Sequence, residues 1–401
     1  MQIEKLDYYG RGIGRINNKI TFVENALKDE IVDIKILKES KKYNEAIVKS
    51  YNTKSKSRVT PKCKYYNICG GCNISHLKEE EQEGFKDSKI KELLNRNLNI
   101  EHLDKIEYSK FYNYRNKIVL HIKEDKLGLY KNKSNELIEI DECLLVDDKI
   151  NNVIKILKKI IKKEKNLKKA TIKLGNTTNE VMLILEGKLK DYSELLSNVD
   201  VLIINDKVVS KKDYIISIIG NKKYKISKNS FFQVNQVITE KIYNEIRSNI
   251  EKINPKNVLD LYCGTGTIGI YIADLVENVT GIEVIKDAVL DANFNKELNN
   301  IDNISFILGK VEDKIIVIKD NIDLIIVDPP RSGLDKKVIS VINKIKAKNI
   351  IYVSCNPITL VRDLKLLKDN YNIEYIKPYD MFPNTYHVEC VSVLHRKSLE
   401  K

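Results

Sequence analysis

The 401-residue chain contains no tryptophan, and its 21 tyrosines are scattered, so no aromatic platform for stacking bases stands out. No run of ~20 apolar residues occurs, which argues against a membrane-spanning helix and a membrane partner. Internal repeats and low-complexity tracts are also missing. No secretory leader opens the chain and the cysteine count of seven is odd, so a disulfide framework is not expected and the protein reads as cytoplasmic and monomeric. What the chain has in excess is positive charge. A net charge of +13 and a pI of about 9.1 suit a polyanionic partner. Lysine, isoleucine and asparagine are abundant throughout, however, and runs such as Leu157 to Lys165 read as a solvated helix face rather than a docking groove.

The length accommodates two or three domains with a sizeable core. Residues 1–60 alternate in short β-like stretches, Ile31 to Ile36 and Glu45 to Lys49, punctuated by Gly10, Gly12 and Gly14. This block looks like a small β-barrel of the TRAM type, related to oligonucleotide-binding barrels. A polar linker, Asn52 to Arg58, follows it. Residues 61–220 mix helices and strands in a central α+β domain around a group of cysteines. Residues 221–401 read as an α/β, Rossmann-like domain led in by a helix over Gln236 to Ile250.

In that last block Asn257 to Tyr262 reads as a buried strand and Thr267 to Leu275 as the helix after it. The turn between them, with Gly264, Gly266 and Gly269, lies where parallel sheets bind ligands. The glycine spacing also fits a dinucleotide fingerprint. Glu283, ending the next strand, can accept from both ribose hydroxyls of an adenosine group, which serves NAD and S-adenosylmethionine equally. Two later strands end in polar residues at the same edge: one in Asp328-Pro329-Pro330-Arg331, where the prolines stop the ladder and aim Asp328 into the crevice, the other in Ser354-Cys355-Asn356-Pro357.

Together with Phe231-Phe232-Gln233-Val234-Asn235, Thr359-Leu360, Arg362-Asp363-Leu364 and Asp380 to Glu389, these motifs closely resemble the RNA uracil-5-methyltransferase family. The similarity runs nearly end to end and is strongest to the iron–sulfur members that modify 23S rRNA. The resemblance implies a class I methyltransferase fold using S-adenosylmethionine as methyl donor. It implies that Gln233, Tyr262, Gly264, Glu283 and Asp328 contact that donor, that Cys355 is the nucleophile, and that Glu389 is the base. It also implies substrate contacts near Tyr112 to Lys117 and RNA as partner, with 23S rRNA favoured and tRNA the alternative. A catalytically silent RNA-binding module is the competing class, but a binder has no use for the thiol and the base.

The chemistry calls for both groups. C5 of uracil is a poor nucleophile until a thiolate adds at C6, and the C5 proton must then leave so that the thiolate can be expelled. A free thiol titrates near about 8.5, and Arg331 and Arg362 are the two candidate cations to lower it.

A second cluster comprises Cys63, Cys69 and Cys72, three thiols within ten residues, with Cys143 as a distant fourth ligand. Gly70 and Gly71 let the backbone wrap closely. Thiolate chemistry alone leaves Zn2+ and a [4Fe–4S] cluster open; the resemblance points to the cluster, in a structural role. Cys263 and Cys390 read as ordinary buried thiols.

Overall fold

The computed structural model describes residues 1–100, 103–132, 134–318 and 321–398. Among these, strands assemble into four sheets. The N-terminal sheet has the order Lys5–Leu6, Gly12–Ile16, Lys19–Glu24, Tyr43–Thr53, Ile31–Glu39. The residues before its first strand reach the edge strand Ile31–Glu39, with the Val32 amide donating to the Met1 carbonyl at 2.9 Å and Gln2 bridging to Ile31. Ile3, Val23, Ala26, Val32 and Ala46 fill the interior.

The central sheet is seven-stranded, with Leu167–Leu174 between Val181–Gly187 and Lys117–Lys123. The helix Asp148–Ile161 covers it. That helix forms because Ile150, Val153, Ile154, Leu157, Ile160 and Ile161 fall on one face, while Asp147 caps its start by accepting from the Lys149 amide at 2.9 Å. Lys158, at the flank of that face, pairs with Glu139 and Asp141. The hairpin Ile215–Ile219 and Lys222–Ile226 shares a core with Ile242, Val258 and Ile270.

The C-terminal sheet has the order Ile304–Leu308, Asn278–Glu283, Asn257–Leu261, Leu324–Val327, Asn349–Ser354, Glu389–Arg396, Tyr371–Tyr379. The first five strands are mutually parallel, and Glu389–Arg396 runs antiparallel against Asn349–Ser354. The central parallel strands are buried along their whole length, as a sheet covered on both faces requires. The helix Glu79–Leu98 from the middle of the chain packs on this unit as well, placing Ile90, Leu94 and Leu98 in the same core as Leu360, Val361 and Leu364. No helix among the described residues is long and apolar enough to cross a membrane.

Candidate active site

The strand order brings the carboxyl ends of Asn257–Leu261, Asn278–Glu283, Leu324–Val327 and Asn349–Ser354 to one edge. At the first, Tyr262 adopts φ 63° and Gly264 φ 54°, left-handed values that a β-carbon makes costly and that the turn needs. Glu283 spans the gap to this turn: its carboxylate accepts from the Gly264 amide at 3.0 Å and the Ile285 amide at 2.8 Å. The acid is thereby oriented by the loop it faces.

Asp328 ends the third strand, and the chain beyond it is stitched to the segment after Cys355. The Arg331 carbonyl accepts from Asn356 Nδ2 at 3.0 Å and Thr359 Oγ1 at 3.2 Å. Arg362 donates to the carbonyls of Ser332 and Leu334, and Asp363 accepts from the Leu334 amide and the Tyr352 hydroxyl. Thr359, Arg362 and Asp363 therefore brace the two loops. Arg362 is committed to this brace and to Asp363, which leaves Arg331 as the cation acting on the thiol.

Ser354 pairs with Cys390 in the antiparallel ladder, so Cys355 comes opposite Glu389. Glu389 is 2% exposed. Burial, and next the neighbouring Asp328, hold its carboxyl above the usual carboxylate range, while Arg331 pulls it back. Burial likewise raises Asp328. The Cys355 thiol is pushed up to about 12, by burial first and then by Glu389 and Asp328, with Arg331 opposing. The expected lowering of this thiol is thus outweighed, because a single exposed guanidinium does not offset burial beside two carboxyls.

Asp260 is a further acid at this edge, in the middle of a buried strand and itself fully buried. It accepts from the Gly269 amide at 3.2 Å, and its second oxygen has no partner. Burial, followed by Asp328 and Glu283, lifts it to about 8. An acid inside an otherwise apolar strand was a readable signal that motif reading passed over. His387 is neutral near pH 7, pressed down to about 4 by burial and then by Arg331; its ring packs on Tyr386 and Phe382.

Gln233 is held from the central part of the chain, its carbonyl accepting from Asn116 Nδ2 at 3.0 Å. The Tyr112 to Lys117 stretch serves as a splice: the Arg115 amide donates to Leu145, and the Asn116 amide to Val234. Gln233 lines a cavity of about 500 Å³ whose walls also include Cys63, Cys69, Cys72 and Cys143. These cysteines are free thiols. Burial raises Cys69 and Cys143 and pushes Cys72 to about 12, with Cys143 adding to the rise of Cys72. Among the described residues no group of three or more His, Cys, Asp or Glu side chains converges closely enough to hold a metal ion. Cys263 and Cys390 are buried.

Reasoning from motifs also missed one helical face. Gln82, Lys86 and Lys89 recur on one side of Glu79–Leu98 and are all buried. Lys86 pairs with Asp380 at 2.6 Å, both side chains fully enclosed, and Gln82 accepts from the Asn384 amide. In a lysine-rich sequence this face was indistinguishable from a solvated one.

A parallel sheet with one antiparallel strand inserted near its edge, ligand-type turns at the carboxyl end and a thiol beside two acids define a class I methyltransferase. Residues 78–397 match the tRNA (Uracil-5-)-methyltransferase family and residues 2–49 the TRAM domain. The chain belongs to the tRNA (Uracil-5-)-methyltransferase family, and it is an enzyme of the RNA uracil-5-methyltransferase class. It is 35% identical to an uncharacterized RNA methyltransferase of Clostridium tetani, over 96% of this chain and 93% of that one. An uncharacterized RNA methyltransferase of Staphylococcus aureus strain COL is 32% identical, over 98% and 96%. Among solved structures, the tRNA (uracil-54, C5)-methyltransferase of Pyrococcus abyssi in complex with S-adenosyl-L-homocysteine superposes with a TM-score of 0.81 at 28% identity. That match covers 98% of this chain and 99% of the other.

Proposed function

We propose that the enzyme methylates C5 of a uridine in RNA through a covalent adduct between Cys355 and C6. The observation that carries this reading is the placement of Cys355 opposite Glu389 across the ladder, beside Asp328 and Arg331. S-Adenosylmethionine supplies an electrophilic methyl group. Glu283, Gly264, Tyr262, Asp328 and Gln233 bind it in this reading. The exposed apolar side chains Val284, Ile285 and Leu308 beside Glu283 suit an adenine ring.

Cys355 gives its proton to solvent and its sulfur adds to C6, which makes C5 an enolate carbon; that carbon takes the methyl group as the S–CH3 bond of the donor breaks and S-adenosylhomocysteine leaves. Glu389 then removes the C5 proton, and the electron pair expels the Cys355 thiolate. Burial raises both acids, and Asp328 adds to the rise of Glu389 while Arg331 opposes it, so Arg331 favours the ionised carboxylate that removal of the C5 proton needs. The target uridine has to leave its stack to reach the thiol.

In the same reading residues 1–60 grip RNA, residues 61–220 carry a [4Fe–4S] cluster on Cys63, Cys69, Cys72 and Cys143, and residues 221–401 transfer the methyl group. What supports the cluster is three thiols within ten residues and a fourth on the wall of the same cavity, although among the described residues they do not converge on one point. Its contribution is structural, fastening the Cys63 to Cys72 loop to Cys143.

For the RNA, the TRAM domain and the cysteine group favour 23S rRNA. The Pyrococcus abyssi enzyme's tRNA substrate supports transfer RNA as a second reading. Incubation with methyl-labelled S-adenosylmethionine and, separately, unmodified 23S rRNA and tRNA tests both. Labelled 5-methyluridine in the rRNA alone supports the first, in the tRNA alone the second, and no label in either overturns the function.

A further inference from the structure

A buried lysine, its pKa pressed down to about 7 by burial and then by Lys86, joins three parts of the molecule next to the candidate site. Lys89 is 8% exposed and donates to the Tyr386 carbonyl, three residues before Glu389. It also reaches the Tyr8 carbonyl at 3.5 Å and lies 4.4 Å from the Tyr8 ring centroid, 5.3 Å from that of Phe85 and 5.5 Å from that of Tyr386. Tyr8 belongs to the N-terminal domain, between the strands Lys5–Leu6 and Gly12–Ile16.

The surroundings make this a seat and not a chance contact. Gly10, at φ 80°, brings the turn after Tyr8 so close to Ile74, in the segment before the helix, that a β-carbon there would lie 2.5 Å from it, while Phe85 on the helix would be in ordinary contact at 3.8 Å. The Tyr9 ring meets the Tyr386 ring edge-on at 5.2 Å. Tyr8 lies within electrostatic reach of Cys355 and Cys390. Lys86, one turn earlier on the helix, holds Asp380 and the Phe382 carbonyl. Between them the two lysines clamp both ends of the segment Asp380 to Tyr386, which leads directly into Glu389.

Burying an ammonium is costly, and the cost is offset only where carbonyls and ring faces replace water. Two of those groups belong to the N-terminal domain and two to the catalytic segment. Lys89 therefore loses its two Tyr8 partners and opens to water if the N-terminal domain lifts away, which leaves its hold on Tyr386 without support from that side. We propose that Lys89 is a positioning residue that makes the placement of Glu389 depend on docking of the N-terminal domain. The domain that grips RNA then also sets the base. This rests on the reading of Glu389 as the base that resolves the adduct.

Hydrogen exchange on the full-length protein reads the joint without turnover. Lys89→Met should speed exchange both at Asp7 to Arg11 and at Tyr386 to Val388. Gly10→Ala, which forces the turn off its seat without touching Lys89, should do the same at Tyr386 to Val388. Protection there unchanged in Gly10→Ala overturns the proposal, even if Lys89→Met proves insoluble. In kinetics, Lys89→Met should lower kcat by roughly ten- to a hundred-fold, as small misplacements of a reacting group do, with affinity for S-adenosylmethionine kept. Lys89→Arg should recover part of the loss, and covalent adduct should accumulate. Wild-type kcat in Lys89→Met overturns the proposal. A wild-type protein that methylates no RNA removes the proposed function instead, and the exchange result still decides whether Lys89 is the joint.

Discussion

Cys355 lies opposite Glu389 because Ser354 and Cys390 pair across an antiparallel ladder. The residue after a pair on one strand faces the residue before it on the other. Neighbours of this kind stand about 4.5–5.5 Å apart, so two motifs 34 positions apart in sequence meet at one edge, as the proposed action on the adjacent C6 and C5 atoms requires.

Separate roles for these two residues give separate outcomes. Cys355→Ala should form no adduct and no product while still binding S-adenosylmethionine. Glu389→Gln should add and methylate, then stall, leaving a protein–RNA band that survives denaturing electrophoresis. That band should vanish when Cys355 is replaced as well; its persistence would assign the nucleophile elsewhere.

Arg331 lowers both the Cys355 thiol and the Glu389 carboxyl, and in the proposed mechanism both act in their deprotonated forms. Removing the cation raises both, so activity needs a higher pH. Arg331→Met should move the acidic limb of the pH–rate profile upward by roughly 0.5–1 unit and slow the reaction at neutral pH about three- to ten-fold, for an exposed charge partly screened by solvent. The Arg331 carbonyl, not its side chain, accepts from Asn356 and Thr359, so the loop brace survives the change. An unshifted profile would remove Arg331 from the mechanism.

The enclosed pair Lys86–Asp380 should show the asymmetry of buried charges. Lys86→Met leaves Asp380 uncompensated and should cost about 3–5 kcal/mol in urea unfolding. Adding Asp380→Asn, which keeps an acceptor for the Phe382 amide, should restore part of that stability. A double variant no more stable than the single one would mean that the lysine contributes through packing and not through charge.

Anaerobically purified protein should carry about four iron per chain and be brown, as expected of a cube on four thiolates. Stoichiometric zinc without iron would replace the cluster by a single ion. Cys69→Ala should lower thermal stability and metal content together and leave the role of Cys355 unaltered.

Much of this was legible in the chain itself. Local periodicity locates the strand before the Gly264 turn, the helix Gln236–Ile253 and the strands ending at Asp328 and Cys355, because alternation, capping and proline act over a few residues. Motif order carries the family, since the same short segments recur in the same succession. Tertiary structure decided what depends on contacts distant in sequence. It chose Arg331 over Arg362 as the cation on the thiol, because Asp363 and two carbonyls occupy Arg362. It raised the Cys355 thiol instead of lowering it, since burial and two acids combine only after the strands assemble. It also buried Gln82, Lys86 and Lys89 on the helix Glu79–Leu98, a polar face to which no motif pointed. Their partners, Asn384, Asp380 and Tyr386, lie some 300 residues further along the chain, and no local pattern encodes which polar face a distant segment will cover.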